Sequence, residues 1–225
     1  MLTAHSGSNN TKDNSYKYFY EFIDKNIDCL EVDVRKNIKG ELYLNHDELK
    51  EDEFKDVVLL KDIFYELKSH DDKYINCDLK EKNLEQEVLL LAKEFNVEKQ
   101  IIFSGTVNIE NLKGNFKDMY FDVFFNLENI FQDFYMNSEL YLKNKVEFVR
   151  KVYDYFKNHN LNVLNINYKF CDDELIQLFE DNDIKLSLWT VDDLEKRKEF
   201  MMKNVHNITT REAIEAIKER ECLNI

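Results

Sequence analysis

Strand-like and helix-like segments alternate about eight times along this chain of 225 residues. The strand-like segments are short runs in which apolar residues alternate or dominate, and most of them precede a segment with helical spacing. Single strands followed by single helices predict parallel strand pairing with the helices outside. About eight such units are the number that closes a barrel. The sequence therefore predicts an α/β fold, a TIM-type (β/α)8 barrel formed by one domain over residues 1–225.

The predicted strands are short and end in polar residues or turn formers. In the segment CLEVDV, apolar Leu30, Val32 and Val34 alternate with charged residues, as expected for a strand. The link to the next strand, residues 35–40, fits a hairpin or an irregular turn. Strands are predicted at Met1–Ala4, Cys29–Val34, Leu42–His46, Lys73–Lys80, Gln100–Ser104, Met119–Phe125, Val163–Asn167, Lys185–Thr190 and His206–Thr209.

The predicted helices carry apolar residues three and four positions apart. Residues 13–15 can cap the first helix, and its aromatic residues Tyr16, Tyr18, Phe19 and Tyr20 are interpreted as core. Further helices are predicted at Leu59–Lys68, Asn83–Phe95, Val107–Leu112, Glu139–Asn158, Asp172–Asp181, Asp192–Lys203 and Arg211–Arg220.

The composition narrows the class of protein. The formal net charge is −14, which makes nucleic acid or an anionic membrane a poor partner. Four cysteines are widely spaced without a CxxC pair, as is typical of reduced thiols, and Cys29 and Cys77 are predicted to lie in the core. The sequence shows neither a signal peptide nor an apolar stretch of membrane-spanning length. We expect a cytoplasmic protein; the sequence does not indicate its oligomeric state.

A pair of carboxylates gives the first indication of function. Glu31 and Asp33 project from the same face of their strand, roughly 7 Å apart, and burying both requires a compensating cation. The next strand ends in His46, followed by Asp47. This pattern predicts a divalent metal ion with an acid/base group beside it. Barrel active sites lie at the carboxyl ends of the strands, where this chain places His5, Glu31, Asp33, His46, Asp78, Lys80 and Trp189.

Structural explanations stand beside the functional ones. The face with Glu31 and Asp33 could be solvated or paired with basic residues, although a closed barrel has no solvated inner face except near the strand ends. Asp78 and Lys80 could simply pair with other strand-end groups. A lone histidine is often structural, and Trp189 could pack in the core.

Short motifs occur in a fixed order along the chain. They are Ala4-His5-Ser6-Gly7, Asp13-Asn14-Ser15, Glu31-Val32-Asp33-Val34, Lys39-Gly40 with His46-Asp47, Cys77-Asp78-Leu79-Lys80 and Trp189-Thr190-Val191-Asp192. Together they resemble the glycerophosphodiester phosphodiesterases, whose corresponding motifs read Ala-His-Arg-Gly, Glu-Asn-Thr, Glu-Leu-Asp-Val, Asp-Gly with His-Asp, Ile-Glu-x-Lys and Trp-Thr-Val-Asn. The resemblance spans nearly the whole chain.

The resemblance implies a TIM-type barrel with one Ca²⁺ or Mg²⁺ ion. It implies hydrolysis of a small phosphodiester substrate, a glycerophosphodiester, to glycerol 3-phosphate and an alcohol, a reaction of lipid metabolism. Carried over residue by residue, it makes Glu31, Asp33 and Asp78 the metal ligands and His5 and His46 the acid/base pair. Lys80 would contact the phosphate and Trp189 would form a wall of the glycerol site.

The chain departs from the family pattern at two of these positions. Ser6 stands where the family has an arginine that grips the phosphate, and a serine hydroxyl in the substrate site cannot replace a guanidinium. Asp78 replaces a glutamate, which shortens one metal ligand by a methylene. Two alternatives therefore stay open: a weakened or non-catalytic phosphodiester-binding protein on the same barrel, and a lyase-like enzyme that releases a cyclic phosphate.

Overall fold

The computed structural model describes residues 1–112, 122–203 and 205–224 of the chain. Within these residues, eight parallel strands close into a barrel, because β1 pairs with both β2 and β9. The predicted (β/α)8 architecture is confirmed. The strands are β1 (Leu2–Ala4), β2 (Cys29–Lys36), β3 (Leu42–Leu44), β4 (Tyr74–Leu79), β5 (Ile101–Gly105), β6 (Asp122–Asn126), β7 (Val163–Asn167), β8 (Lys185–Trp189) and β9 (Asn207–Thr210).

The helices lie outside the barrel and follow the strands in sequence. They are α1 (Tyr16–Phe22), α2 (Leu60–Leu67), α3 (Glu85–Phe95), α4 (Ser138–Leu142), α5 (Lys145–His159), α6 (Asp173–Glu180), α7 (Leu194–Met201) and α8 (Ala213–Leu223). Of the helices in the described ranges, none combines the length and the apolar character needed to cross a membrane.

Two predicted segments differ in detail from the structure. The strand β3 pairs antiparallel with β2, so the link at residues 35–40 is a hairpin and β3 stands outside the parallel barrel. The single helix predicted over Glu139–Asn158 is two helices, because Asn144 caps the second one by accepting a hydrogen bond from the Glu147 N–H. The first three residues of the strand predicted at Met119–Phe125 lie outside the described residues, and β6 begins at Asp122.

The first helix buries fewer aromatic rings than predicted. Tyr18 and Phe19 are buried as expected, but Tyr16 is 41% exposed and Tyr20 52% exposed, so these two are not core residues. The Tyr16 hydroxyl instead donates to Asp62 on α2. Helical spacing predicts which residues share a face, whereas the width of the buried face depends on the packing of the neighbouring helix.

The barrel interior changes from apolar to polar along its axis. Cys29, Ile102, Phe124 and Val163 form a small buried cluster at the amino-terminal ends of their strands, with Met1 packed against it. Cys29 and Cys77 are both completely buried, as predicted. Above this floor the inward positions are polar. Inward residues recur at every second position of a strand, so these polar residues come two positions after the apolar ones. The floor therefore leaves the carboxyl ends of the strands for polar chemistry.

A buried ion pair holds the last two helices against the loop after β8. Arg197 on α7 donates two hydrogen bonds of 2.7 Å to the carboxylate of Glu219 on α8, and both side chains are nearly inaccessible. The same guanidinium donates to the carbonyl oxygens of Val191 and Asp192 at 3.3 and 3.0 Å. This pair therefore fixes the loop that carries Asp192 beside the end of β9.

Arg197→Ala should lower the free energy of unfolding by about 3–5 kcal/mol, because it leaves the buried Glu219 carboxylate without its partner. Urea-induced unfolding measures the change. Lys151→Ala is the control, since Lys151 forms an exposed pair with Glu147 and its loss should cost less than about 1 kcal/mol. Equal effects of the two substitutions would contradict the structural role assigned to the buried pair.

Candidate active site

A cavity with a volume of about 490 Å³ opens at the carboxyl ends of the barrel strands. Seven of the eight site residues predicted from the sequence line it. They are His5, Glu31, Asp33, His46, Asp78, Lys80 and Trp189. The eighth, Ser6, is completely buried, and its hydroxyl accepts a 2.7 Å hydrogen bond from the Asn14 N–H. The structure therefore brings the predicted set together with Ser6 behind the cavity wall.

Three carboxylates converge because of the register between β2 and β4. Asp33 pairs with Asp78, and Glu31 pairs with Asn76, so these side chains share the inner face of the barrel. Glu31 and Asp33 are 4% and 3% exposed. One oxygen from each of Glu31, Asp33 and Asp78 lies within 4.8 Å of the other two. This cluster of acidic residues could bind a metal ion.

Main-chain and amide donors hold the two carboxylates of β2 in place. Glu31 Oε2 accepts a 2.8 Å hydrogen bond from the Ser6 N–H. Asn14 binds Asp33 twice: its Nδ2 donates to Asp33 Oδ2 at 2.7 Å, and its Oδ1 accepts from the Asp33 N–H at 2.9 Å. The loop after β1 therefore orients both acids, and Ser6 and Asn14 act on them without lining the cavity.

Lys80 supplies positive charge to two of the three acids. Its ammonium lies 2.9 Å from Asp33 Oδ1 and 2.8 Å from Asp78 Oδ2. Burial alone would lower the pKa of Lys80, but the charges of Asp78 and Asp33 outweigh it and raise the pKa. Burial, together with the charges of Asp33 and Asp78, raises the pKa of Glu31 well above its ordinary value. One ammonium thus leaves this buried cluster short of positive charge.

Two features of the cluster suit a divalent metal ion: its donor atoms are oxygens, and some of the buried oxygens nearby have no hydrogen-bond partner among the described residues. Asp78 Oδ1 and Asn76 Oδ1 are buried and accept no hydrogen bond from the described residues. Asp78 Oδ1 lies against Gly105, where an added Cβ would come within 2.0 Å of it, and the φ of +78° at Gly105 also favours glycine. Carboxylate and amide oxygens are the ligands that Ca²⁺ and Mg²⁺ prefer.

The two predicted histidines differ in environment. His5 Nδ1 lies 2.8 Å from the Ser6 carbonyl oxygen, so this nitrogen carries the proton and Nε2 holds the lone pair. Burial is the main cause that lowers the pKa of His5, and the positive charge of Arg211 adds to it. The side chain of His46 is 67% exposed at the cavity rim, with Nδ1 at 2.9 Å from Asp47 Oδ1.

Sequence reasoning missed much of the cavity lining. A ring of uncharged polar side chains covers the inner wall; it comprises Asn76, Ser104, Asn126, Asn165 and Thr209. Asn126 Oδ1 accepts from the Gly105 N–H at 3.0 Å and from Asn165 Nδ2 at 3.0 Å, which links three strands. The alternation of inward positions along each strand was the available signal for this ring. Glu128 and Arg211, which also line the cavity, follow strand ends and had no such signal.

Comparison with known proteins finds similarity in structure only. No protein-family model matches the sequence, and no curated protein matches it. A glycerophosphodiester phosphodiesterase from Thermotoga maritima is similar with a TM-score of 0.71 and 20% identity over 96% of both chains. One from Parabacteroides distasonis has a TM-score of 0.75 and 17% identity, over 100% of this chain and 98% of that one.

A phosphodiesterase from Oleispira antarctica, solved in complex with the product sn-glycerol-3-phosphate, has a TM-score of 0.72 and 13% identity. The match covers 100% of this chain and 97% of that one. These likenesses establish the fold, and it is the fold that the sequence motifs implied.

Glu31→Gln should stabilise the protein in EDTA at pH 8, because it removes a buried negative charge and keeps an oxygen for the Ser6 N–H. The folded-state pKa of Glu31 is raised, so wild-type stability falls as the pH rises above the unfolded pKa and through the folded one. The advantage of the variant should therefore shrink toward pH 4.5. Urea-induced unfolding between pH 4.5 and pH 8 measures it.

Calcium should reverse this order of stability. At about 100 times its dissociation constant, Ca²⁺ should stabilise the wild type by about 2.7 kcal/mol and the Glu31→Gln variant by less. Glu221→Gln, a change at an exposed position on α8, is the matched control and should behave like the wild type. Equal stabilisation of both Glu31 forms by Ca²⁺ and by Mg²⁺ would remove the metal site from this account.

Proposed function

We propose that this protein is a metal-dependent phosphodiesterase that hydrolyses small glycerophosphodiesters to glycerol 3-phosphate and an alcohol. One observation carries the proposal: a single cavity combines three clustered carboxylates with two histidines. Structural relatives with that activity in their names, one of them holding sn-glycerol-3-phosphate, support the choice of substrate. The resemblance in the motifs supports it independently.

The chemistry requires positive charge and two proton transfers. A phosphodiester is an anion, so the site has to neutralise its oxygens before a nucleophile can approach. Ca²⁺ or Mg²⁺ held by Glu31, Asp33 and Asp78 would supply that charge. We assign Lys80 to the phosphate and Trp189 to a wall of the glycerol site, since both side chains line the same cavity. Ser6 we assign to the support of Glu31 and Asn14.

We assign proton removal from the nucleophile to His5. Its Nδ1 proton is directed to the Ser6 carbonyl oxygen, which leaves the Nε2 lone pair as the acceptor. The lowered pKa of His5 keeps the ring neutral at neutral pH, as a base requires. The nucleophile is either water or a glycerol hydroxyl of the substrate, and the second choice would give a cyclic phosphate.

We assign protonation of the leaving alcohol to His46. Its ring stands at the exposed rim of the cavity, where a departing alcohol can reach solvent. The Asp47 carboxylate lies 2.9 Å from Nδ1 and orients the ring. Two histidines in distinct environments thus divide the two proton transfers between them.

His46→Gln should lower kcat by about 10²–10⁴-fold, the usual contribution of a positioned acid or base. The assay measures release of glycerol 3-phosphate from glycerophosphocholine and glycerophosphoethanolamine with Ca²⁺, Mg²⁺ or EDTA. His70→Gln is the matched control, because His70 precedes β4 at the opposite end of the barrel and contacts Asp24. It should leave the rate unchanged.

The reaction products distinguish hydrolysis from the lyase-like and non-catalytic alternatives. Phosphorus NMR that detects a cyclic phosphate would identify the lyase-like reaction. Turnover that persists unchanged in EDTA, or in Asp33→Asn, would contradict the role of the metal. A protein that binds glycerol 3-phosphate but turns over neither diester would be the non-catalytic binding protein.

The pH dependence should follow His5. A base acts only when unprotonated, so kcat/KM should fall as the pH falls through the pKa of His5, which burial and then the charge of Arg211 place below 6.5. A bound divalent cation shifts this pKa in the same direction. The rate between pH 5 and pH 8 at saturating metal measures the acidic limb. A limb with its midpoint above pH 6.5 would exclude His5 as the base.

A further inference from the structure

An arginine lies at the cavity beside the seam where the last strand, β9, pairs with β1. Arg211 directly follows β9, the last strand, and lines the same cavity as His5 and the acidic cluster. Its Nη2 lies 3.4 Å from His5 Nε2, the nitrogen that holds the lone pair. Its guanidinium therefore points to the place where the proposed base meets the substrate.

The guanidinium of Arg211 has no carboxylate partner among the described residues. Three of the other arginines are paired: Arg35 with Glu81, Arg197 with Glu219 and Arg220 with Asp28. This contrast occurs in a chain with 45 acidic residues. Arg211 is exposed and lines a polar cavity, and an arginine without a carboxylate partner in such a chain has its donors available for an anionic ligand.

The main chain of Arg211 is held by hydrogen bonds, whereas its side chain contacts His5 Nε2 and no carboxylate of the described residues. Its N–H donates a 2.7 Å hydrogen bond to Asp192 Oδ1, which also accepts from the Thr210 hydroxyl. Its carbonyl oxygen accepts a 2.7 Å hydrogen bond from the Asn9 N–H. The loops after β1 and β8 thus fix the point from which the side chain reaches into the cavity.

The sum of the charges in the site indicates a role for this arginine. The three clustered carboxylates carry three negative charges when ionised; Lys80 offsets one and a divalent cation offsets the other two. A phosphodiester entering that neutral cluster would meet no excess of positive charge, and Glu128 adds a further negative charge to the cavity lining. Besides Lys80, Arg211 is the one lysine or arginine among the described residues of the lining.

We propose that Arg211 is the phosphate-binding arginine of this protein. Two of its N–H groups would hold the phosphoryl oxygens, a task for which the buried Ser6 side chain has no access. When the guanidinium moves from His5 Nε2 to the phosphate, it leaves that lone pair free for the nucleophile. This inference rests on the proposed function for its substrate, whereas the anion site itself can be tested by binding alone.

Arg211→Gln should weaken the binding of sn-glycerol 3-phosphate by about 10- to 100-fold, the loss expected for hydrogen bonds to a charged group. Arg211→Lys should fall between this variant and the wild type, because an ammonium keeps the charge but lacks the paired donors. Isothermal titration of the full chain with sn-glycerol 3-phosphate, in saturating Ca²⁺, measures both. Ca²⁺ affinity, titrated separately, should be no weaker in either variant.

Arg150→Gln is the matched control, since Arg150 is exposed on α5 outside the barrel, and it should bind like the wild type. An Arg211→Gln variant with unchanged affinity for sn-glycerol 3-phosphate would overturn the inference even if the enzyme is active. Weakened binding of Ca²⁺ in that variant would also overturn it, because the change would then be structural. Arg211-dependent binding by a protein without turnover would support the inference and overturn the proposed function.

Discussion

Mutual repulsion among three buried carboxylates is the constraint on which the rest of this site depends. Oxygens of Glu31, Asp33 and Asp78 lie within 4.8 Å of one another. At an effective dielectric constant of about 20, each ionised pair at that separation costs on the order of 3 kcal/mol. The Ser6 N–H, the Asn14 amide and the Lys80 ammonium each lower part of this cost. A divalent cation is the group that would offset the remainder.

The barrel makes this concentration of charge possible because it separates stability from chemistry. Its floor of Cys29, Ile102, Phe124 and Val163 is apolar and fully buried, and this burial stabilises the fold without polar groups. The carboxyl ends of the same strands can then carry acids and amides. Gly105 contributes by lacking a side chain, since a Cβ there would collide with Asp78 Oδ1.

Local patterns in the sequence were sufficient for the barrel and for the acidic cluster. Alternation in CLEVDV places Glu31 and Asp33 on one face whatever the tertiary structure, and the alternation of strands and helices fixes the parallel arrangement that brings Asp78 beside them. Local patterns of this kind do not predict contacts between segments that are distant in the sequence. Three such contacts depend on how the loops pack on the barrel: the burial of Ser6, the double hydrogen bond of Asn14 to Asp33 and the approach of Arg211 to His5.

Closure of the barrel joins two halves of the site that lie on different pairs of strands. The carboxylates lie on the neighbouring strands β2 and β4, whereas His5 and Arg211 meet across the seam between β1 and β9. Contacts along that seam occur at successive levels: the Met1 ammonium donates to the His206 carbonyl oxygen, and the Thr3 hydroxyl donates to Asn207 Oδ1. Opening the seam would therefore separate His5 from Arg211 while leaving the β2–β4 pairing intact. A cation bound by the carboxylates would depend on the adjacent strands β2 and β4, whereas an anion bound by Arg211 beside His5 would also depend on closure of the barrel.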